Sequence, residues 1–150
     1  MKLVATLIAL VVFLIVPSRP AAAGDGGQLV RLLADYAGLK ERVQEIRAAR
    51  KAGHASDSMM LMELFGDIVE ARQAAFQFRA AQHTTGTMNK TDETTSTMIY
   101  AYEAMSQMVA AEVDRNLYLP ESDISLRMAD RYEEIWKLVD AAIPAVSVTS

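Results

Sequence analysis

The chain has 150 residues, with 15 basic and 19 acidic side chains, a formal net charge of −4 at pH 7, 51% hydrophobic residues and no cysteine. Without a thiol there is no disulfide, no thiolate metal site, no covalent c-type haem and no thiol catalysis. The acidic total argues against nucleic acid as a partner, because phosphate binding needs a concentrated positive footprint.

Residues 1–23 read as a signal peptide that is cleaved. Met1-Lys2 opens the segment, an apolar run extends from Leu3 to Val16, and Pro17-Ser18-Arg19-Pro20 leads into Ala21-Ala22-Ala23. The Ala21-x-Ala23 pattern predicts cleavage before Gly24. The apolar run is 14 residues long, short of the roughly 17–25 of a spanning helix. No stable membrane span is therefore expected after cleavage, and a retained anchor is the competing reading. An exported chain without disulfides suits a bacterial periplasm or secretion from a bacterium. Residues 24–150 are read as one bundle domain, with 144–150 a loose tail. Losing Lys2 and Arg19 leaves 13 basic against 19 acidic side chains, a net of −6. From Asp25 to His54 there are six basic and four acidic residues, and from Asp92 onward four and eleven. This asymmetry predicts an electropositive first helix laid against acidic later ones; a basic face kept for a partner is the alternative.

Hydrophobic spacing is helical through four segments separated by breaker-rich stretches. The first runs from about Gln28 to Ala52 with a seam of Leu29, Leu32, Tyr36, Leu39, Val43 and Ile46. Arg47, Arg50 and Lys51 suit the negative end of its dipole, and Gly53 stops it. The second follows the Ser56-Asp57 cap and runs to about Thr85, with Leu61, Leu64, Ile68, Ala71, Ala75 and Phe78 as its seam. Met62, Phe65, Val69 and Phe76 widen that stripe, which predicts the most buried helix of the set. Gly38 and Gly66 inside these helices suggest close helix approach, or else a kink that opens a pocket.

The third helix follows a polar linker, with Thr91 or Asp92 as cap, and runs to about Leu117 with a seam of Met98, Tyr102, Met105 and Val109. Glu112 falls on the same stripe, although a small rotation would put Val113 inside instead. The Leu119-Pro120-Glu121-Ser122 turn starts the fourth helix, capped by Ser122 or Asp123. Met128, Tyr132, Ile135, Val139 and Ala142 are expected to face inward, with the pairs Asp123/Arg127, Asp130/Glu134 and Glu133/Lys137 outside. Pro144 ends it. Short connections between long helices imply an all-α, antiparallel up-down-up-down four-helix bundle.

Several chemistries can be weighed on this frame. Neither His54 nor His83 has a glutamate three positions earlier, so the di-iron pattern of such bundles is missing. Eight methionines remain after residue 23, and thioether sulfur binds Cu(I) without deprotonation. Met59, Met60 and Met62, with His54 nearby, are the candidate soft-metal ligands. Met98, Met105 and Met128 read as core filler. A haem b held by His54 with Met59, or by His83 with Met88, is a related possibility. Arg72, Arg79 and Arg131 border apolar seams and are the candidates for a small organic anion; snorkelling arginines are the plainer reading. The stretch Leu29–Gly53 is similar in length and helicity to the first helix of secreted chorismate mutases. The Arg-Glu pair expected early in the following helix is missing from Ser58 to Leu64, so no catalytic residue is assigned. The function expected from sequence is therefore contact with another envelope protein or with itself. A bundle binding copper, haem b or an anion stands second, and a small exported helical enzyme third. An apolar surface including Leu126, Trp136, Phe76 or spare methionines would favour the first.

Overall fold

A chain whose apolar residues recur every three or four positions satisfies its backbone within helices and must then bury the apolar stripes between them. The computed structural model describes residues 25–82, 89–117 and 123–145. The expected signal peptide, the last residues of the tail, His83 and Met88 lie outside the described residues. Helix α1 spans Asp25–Lys51, α2 Ser58–Gln82, α3 Lys90–Leu117 and α4 Asp123–Asp140. Contacts at two heights give their directions: Ser58 with Asn116 and Arg72 with Glu103 set α2 antiparallel to α3, Tyr36 with Tyr102 and Arg47 with Glu112 set α1 parallel to α3, and Lys40 with Asp140 and Arg47 with Glu133 set α4 antiparallel to α1. Each helix runs opposite to the next and α4 returns beside α1, an antiparallel four-helix bundle. Among the described residues no helix is long and apolar enough to cross a membrane.

The helix ends follow side-chain chemistry. Gly53 takes φ +85°, and the N–H groups of Gly53 and His54 donate to the carbonyls of Arg50 (3.0 Å) and Ala49 (2.9 Å), closing α1 in a Schellman turn. Asp57 caps α2 by accepting from the Met60 N–H at 3.1 Å. At α3 the cap is Asn89, not Thr91 or Asp92. Asn89 Oδ1 accepts from the Asp92 N–H (2.9 Å) and Asp92 Oδ2 accepts from the Asn89 N–H (3.3 Å), the reciprocal arrangement of a capping box.

The core is built from Leu32, Tyr36, Val43, Leu61, Leu64, Ile68, Phe78, Met98, Tyr102, Met105, Met108 and Val109, with the rings of Tyr36 and Tyr102 meeting edge to face at 5.4 Å. Met98 and Met105 thus fill the core, whereas Met128 does not and is exposed. The most buried helix is α3, not α2. It is covered by α2 on one flank and α4 on the other, so Ile99, Ala101, Ala104, Met108 and Ala111 are sealed as well as the expected seam. In α2 the residues that seemed to widen the stripe, Met62, Phe65, Val69 and Phe76, lie at the surface.

Helix α4 is turned by about one residue step from the expected phase. Ala129, Glu133 and Trp136 face inward, Tyr132 and Val139 are half-buried, and Met128, Ile135 and Ala142 are exposed. Glu133 is therefore inside rather than on the outer face, and Trp136 is no part of a surface patch. The turn brings Glu133 and Asp140 to the cations of α1.

Neither helical glycine marks a close approach, since a methyl at Gly38 or Gly66 would meet nothing within 4 Å. Neither has a positive φ. Gly38→Ala is expected to raise the unfolding free energy by about 0.5–1 kcal/mol, the helix propensity difference, in a urea titration.

Candidate functional site

Two features of the molecule carry unusual chemistry: a buried ion cluster at one end and an apolar surface across three helices. The cluster forms because Arg47 stands one turn beyond Val43 on the inner face of α1, where its stem packs in the core and its head needs anions. Arg47 Nη1 donates to Glu112 Oε1 at 2.8 Å, Nε donates to Glu133 Oε2 at 3.0 Å, and Nη2 donates to Asp130. Arg50 Nε donates to the other Glu112 oxygen at 2.6 Å, and its Nη2 donates to Asn116 at 2.9 Å. Lys51 and Lys137 reach Glu133 Oε1 at 2.8 and 3.1 Å. Glu112 is 2% exposed, so it, and not Val113, takes the inward place. Burial opposes the charge on Glu133, but hydrogen bonds from Lys51, Lys137 and Arg47 and the Arg47 charge outweigh it and hold the carboxyl down at about 2. The same carboxylates hold the Arg47 guanidinium above its ordinary value against its own burial. Every polar end in this cluster meets a partner from the chain itself, which makes it a clamp joining α1, α3 and α4.

Near the other end, Trp136 Nε1 donates to the Tyr36 hydroxyl at 3.0 Å, which donates to Asp140 Oδ1 at 2.7 Å, while Lys40 holds Asp140 Oδ2 at 2.6 Å. Burial, reinforced by the bond to Asp140, pushes the Tyr36 hydroxyl far up. Burial does the same to Tyr102, with Asp35 adding to it.

The arginines singled out in the sequence do not converge. Arg72 pairs with Glu103 and lies over the Phe76 ring at 5.4 Å, Arg79 is half-buried further along α2, and Arg131 has an 82% exposed side chain facing Glu134 at 3.7 Å. Met59, Met60 and Met62 fan around α2 at about 100° per residue; all three are exposed, Met59 by 74%, and His54 lies beyond the Schellman turn. Among the described residues no group of three or more His, Asp or Glu side chains is arranged to hold a metal ion.

The apolar surface comes from the second stripe of α2. Met62, Phe65, Val69 and Phe76 step by three, four and seven residues and fall within an arc of about 60°. Leu61, Leu64, Ile68, Ala75 and Phe78 occupy the core-facing arc, roughly a third of a revolution away. Arg72 lies between the two arcs and reaches Glu103 of α3, so the outer stripe adjoins α3. There Tyr100 is 69% exposed. On the far flank of α3, α4 presents Met128 and Ile135 beside Arg127, Arg131, Tyr132 and Glu134 in a shallow groove. Exposed large apolar side chains are thus present on α2, α3 and α4, and on α2 they form a line, where a monomer ordinarily scatters them singly.

From the sequence, Phe76 and the spare methionines are candidates for such a surface, but Met62, Phe65, Val69 and Phe76 together read as a widened core stripe, because an apolar position at helical spacing reads as core until the helix phase is known. The ion cluster was partly visible, since Glu112 continues the 98, 102, 105, 109 seam and Arg47 continues 39, 43. Comparison of the chain with known family models, with curated proteins and with solved structures gives no match.

Proposed function

We propose that this is an exported bacterial protein, periplasmic or secreted, that works by docking the α2–α3–α4 face onto a protein partner. The observation that carries the reading is the run of exposed Met62, Phe65, Val69 and Phe76 along one line of α2, with Tyr100 exposed on α3 and Met128 and Ile135 exposed on α4. A helix line of apolar residues with this spacing is the form in which helices recognise other helices. Export rests on the apolar run of residues 3–16, the Ala21-x-Ala23 pattern and the absence of cysteine.

A photocrosslinking residue placed at Val69 tests the reading in cells of the source. Val69 is expected to give one discrete protein adduct, and the same residue placed at Gln44, exposed on α1, none. Absence of any adduct from Val69, from Phe65 and from Met128 would refute docking through this face.

A further inference from the structure

We propose that the Met59-Met60-x-Met62 run at the start of α2 is a site of reversible oxidation to methionine sulfoxide, which makes one end of the α2 apolar line polar while the bundle stays folded. The oxidant is of the two-electron, oxygen-transferring class, such as hypochlorous acid. The consequence for docking rests on the reading above; the oxidation itself does not.

Access is the first observation. Among the described residues the methionines fall into two sets. Met98, Met105 and Met108 are 0% exposed, whereas Met59, Met60 and Met62 are 74%, 43% and 59% exposed and Met128, alone on α4, 47%. A thioether is oxidised only where the oxidant can touch its sulfur, and the product is a polar side chain in place of a flexible apolar one. The chain has no thiol to react in their place, and its only tryptophan is buried. The exposed thioethers are therefore its foremost targets for such an oxidant.

The second is that the fold does not depend on these three sulfurs. Packing at this end of α2 comes from Leu61 and Leu64, both fully buried. The start of the helix is pinned by polar contacts: Asp57 accepts from the Met60 N–H at 3.1 Å, and Asn116 Nδ2 of α3 donates to the Ser56 carbonyl at 2.8 Å. Neither contact involves a thioether. Sulfoxide oxygens placed here are solvated by water without breaking a polar contact or opening the sealed core.

Position supplies the third. Met62 begins the exposed line that continues through Phe65, Val69 and Phe76, and Met59 lies within about 60° of Met62 around the helix. Oxidation thus converts the N-terminal end of that line. In each step the sulfur lone pair takes the oxygen of hypochlorous acid. Sulfur loses two electrons, chlorine gains them and leaves as chloride, and the proton passes to water. Methionine sulfoxide reductases return the thioether.

The test treats the processed protein, purified from the source, with limiting hypochlorous acid and reads each methionine by peptide mass spectrometry. Met59, Met60 and Met62 are expected to gain oxygen about tenfold or more faster than Met98, Met105 and Met108. The helical circular dichroism spectrum is expected to stay unchanged, and methionine sulfoxide reductases A and B to remove the added oxygen. Equal rates in the two sets, or helicity lost before the core set reacts, overturns the site. In cells of the source dosed with the same oxidant, the Val69 adduct is expected to fall by about tenfold or more, and to persist when Met59→Leu, Met60→Leu and Met62→Leu are combined. Leucine keeps the line apolar and takes no oxygen, and Met128 remains in that variant, so persistence assigns the effect to the α2 run. An adduct lost equally from both proteins, or from neither, overturns the switch. Absence of the adduct before any oxidant removes docking and the switch with it, whereas the order of oxidation still decides the site.

Discussion

Replacing Arg47 with methionine is expected to destabilise the protein by about 3–5 kcal/mol, a large part of the ~5–15 kcal/mol available to a domain of this size. Methionine replaces the apolar stem of arginine in the core and ends short of the guanidinium, so the loss is chiefly electrostatic. Glu112 keeps Arg50, and Glu133 keeps Lys51 and Lys137. Both carboxylates nevertheless lose the central cation that each meets within 3.0 Å inside the bundle. Each is then left with one oxygen that has lost its donor inside the bundle, which costs its desolvation unless water enters. The companion variant removes the anions with both buried cations: Arg47→Met, Arg50→Met, Glu112→Leu and Glu133→Met together are expected to recover most of the loss, because a packed apolar group is no worse there than a satisfied ion cluster. Urea denaturation of the single and combined variants checks this. A single variant within about 1 kcal/mol of wild type would show that Arg50 and the two lysines suffice.

Acid should loosen the same joint. The Glu133 carboxyl is held at about 2 in the folded chain against an ordinary 4.5. A depressed carboxyl contributes stability that is fully present above its unfolded value and is lost as pH falls toward its folded one. The window is therefore pH 4.5 down to about 2, and the loss across it amounts to roughly 3 kcal/mol at about 1.36 kcal/mol per pH unit. Glu133→Gln should start less stable at pH 7 and lose less on acidification, so the two curves converge near the lower end of that window. Denaturation midpoints of both proteins through the acid range measure it, and curves that stay parallel would remove Glu133 as the source.

Much of the fold could be read from residue spacing because it depends on local physics. Gly53 stopping α1, Asp57 capping α2, and Met98, Tyr102 and Met105 in one seam all follow from periodicity and turn chemistry. The rotation of each helix about its own axis was harder to read. Helix α2 is apolar over two arcs, so Met62 and Leu61 look alike until α3 takes one side. In α4 the pattern with Met128 and Ile135 inside is as apolar as the real one, and the choice falls to Glu133 and Asp140, whose partners Arg47, Tyr36 and Lys40 are distant in the chain. A single helix cannot disclose a preference that another helix imposes. The arginine and methionine candidates failed to assemble for the same reason, since Arg131 and Met59 point to solvent once the phase is set.

Trp136 is the chain's only tryptophan. Its indole donates to a hydroxyl of α1 and lies 5.9 Å from the Lys40 ammonium, also of α1. The emission of the whole protein therefore reads one seam, α1 against α4, at the aromatic end. Helical ellipticity reads all four helices at once. Trp136 stands only one turn from Glu133 on α4, but its indole reaches Tyr36, eleven residues before Arg47 on α1 and about 16 Å along that axis, so the ion clamp and the optical reporter engage α1 at separate heights on one joint. Followed together through an acid titration, the two signals would distinguish a seam that opens like a zipper from the charged end from one that parts all at once.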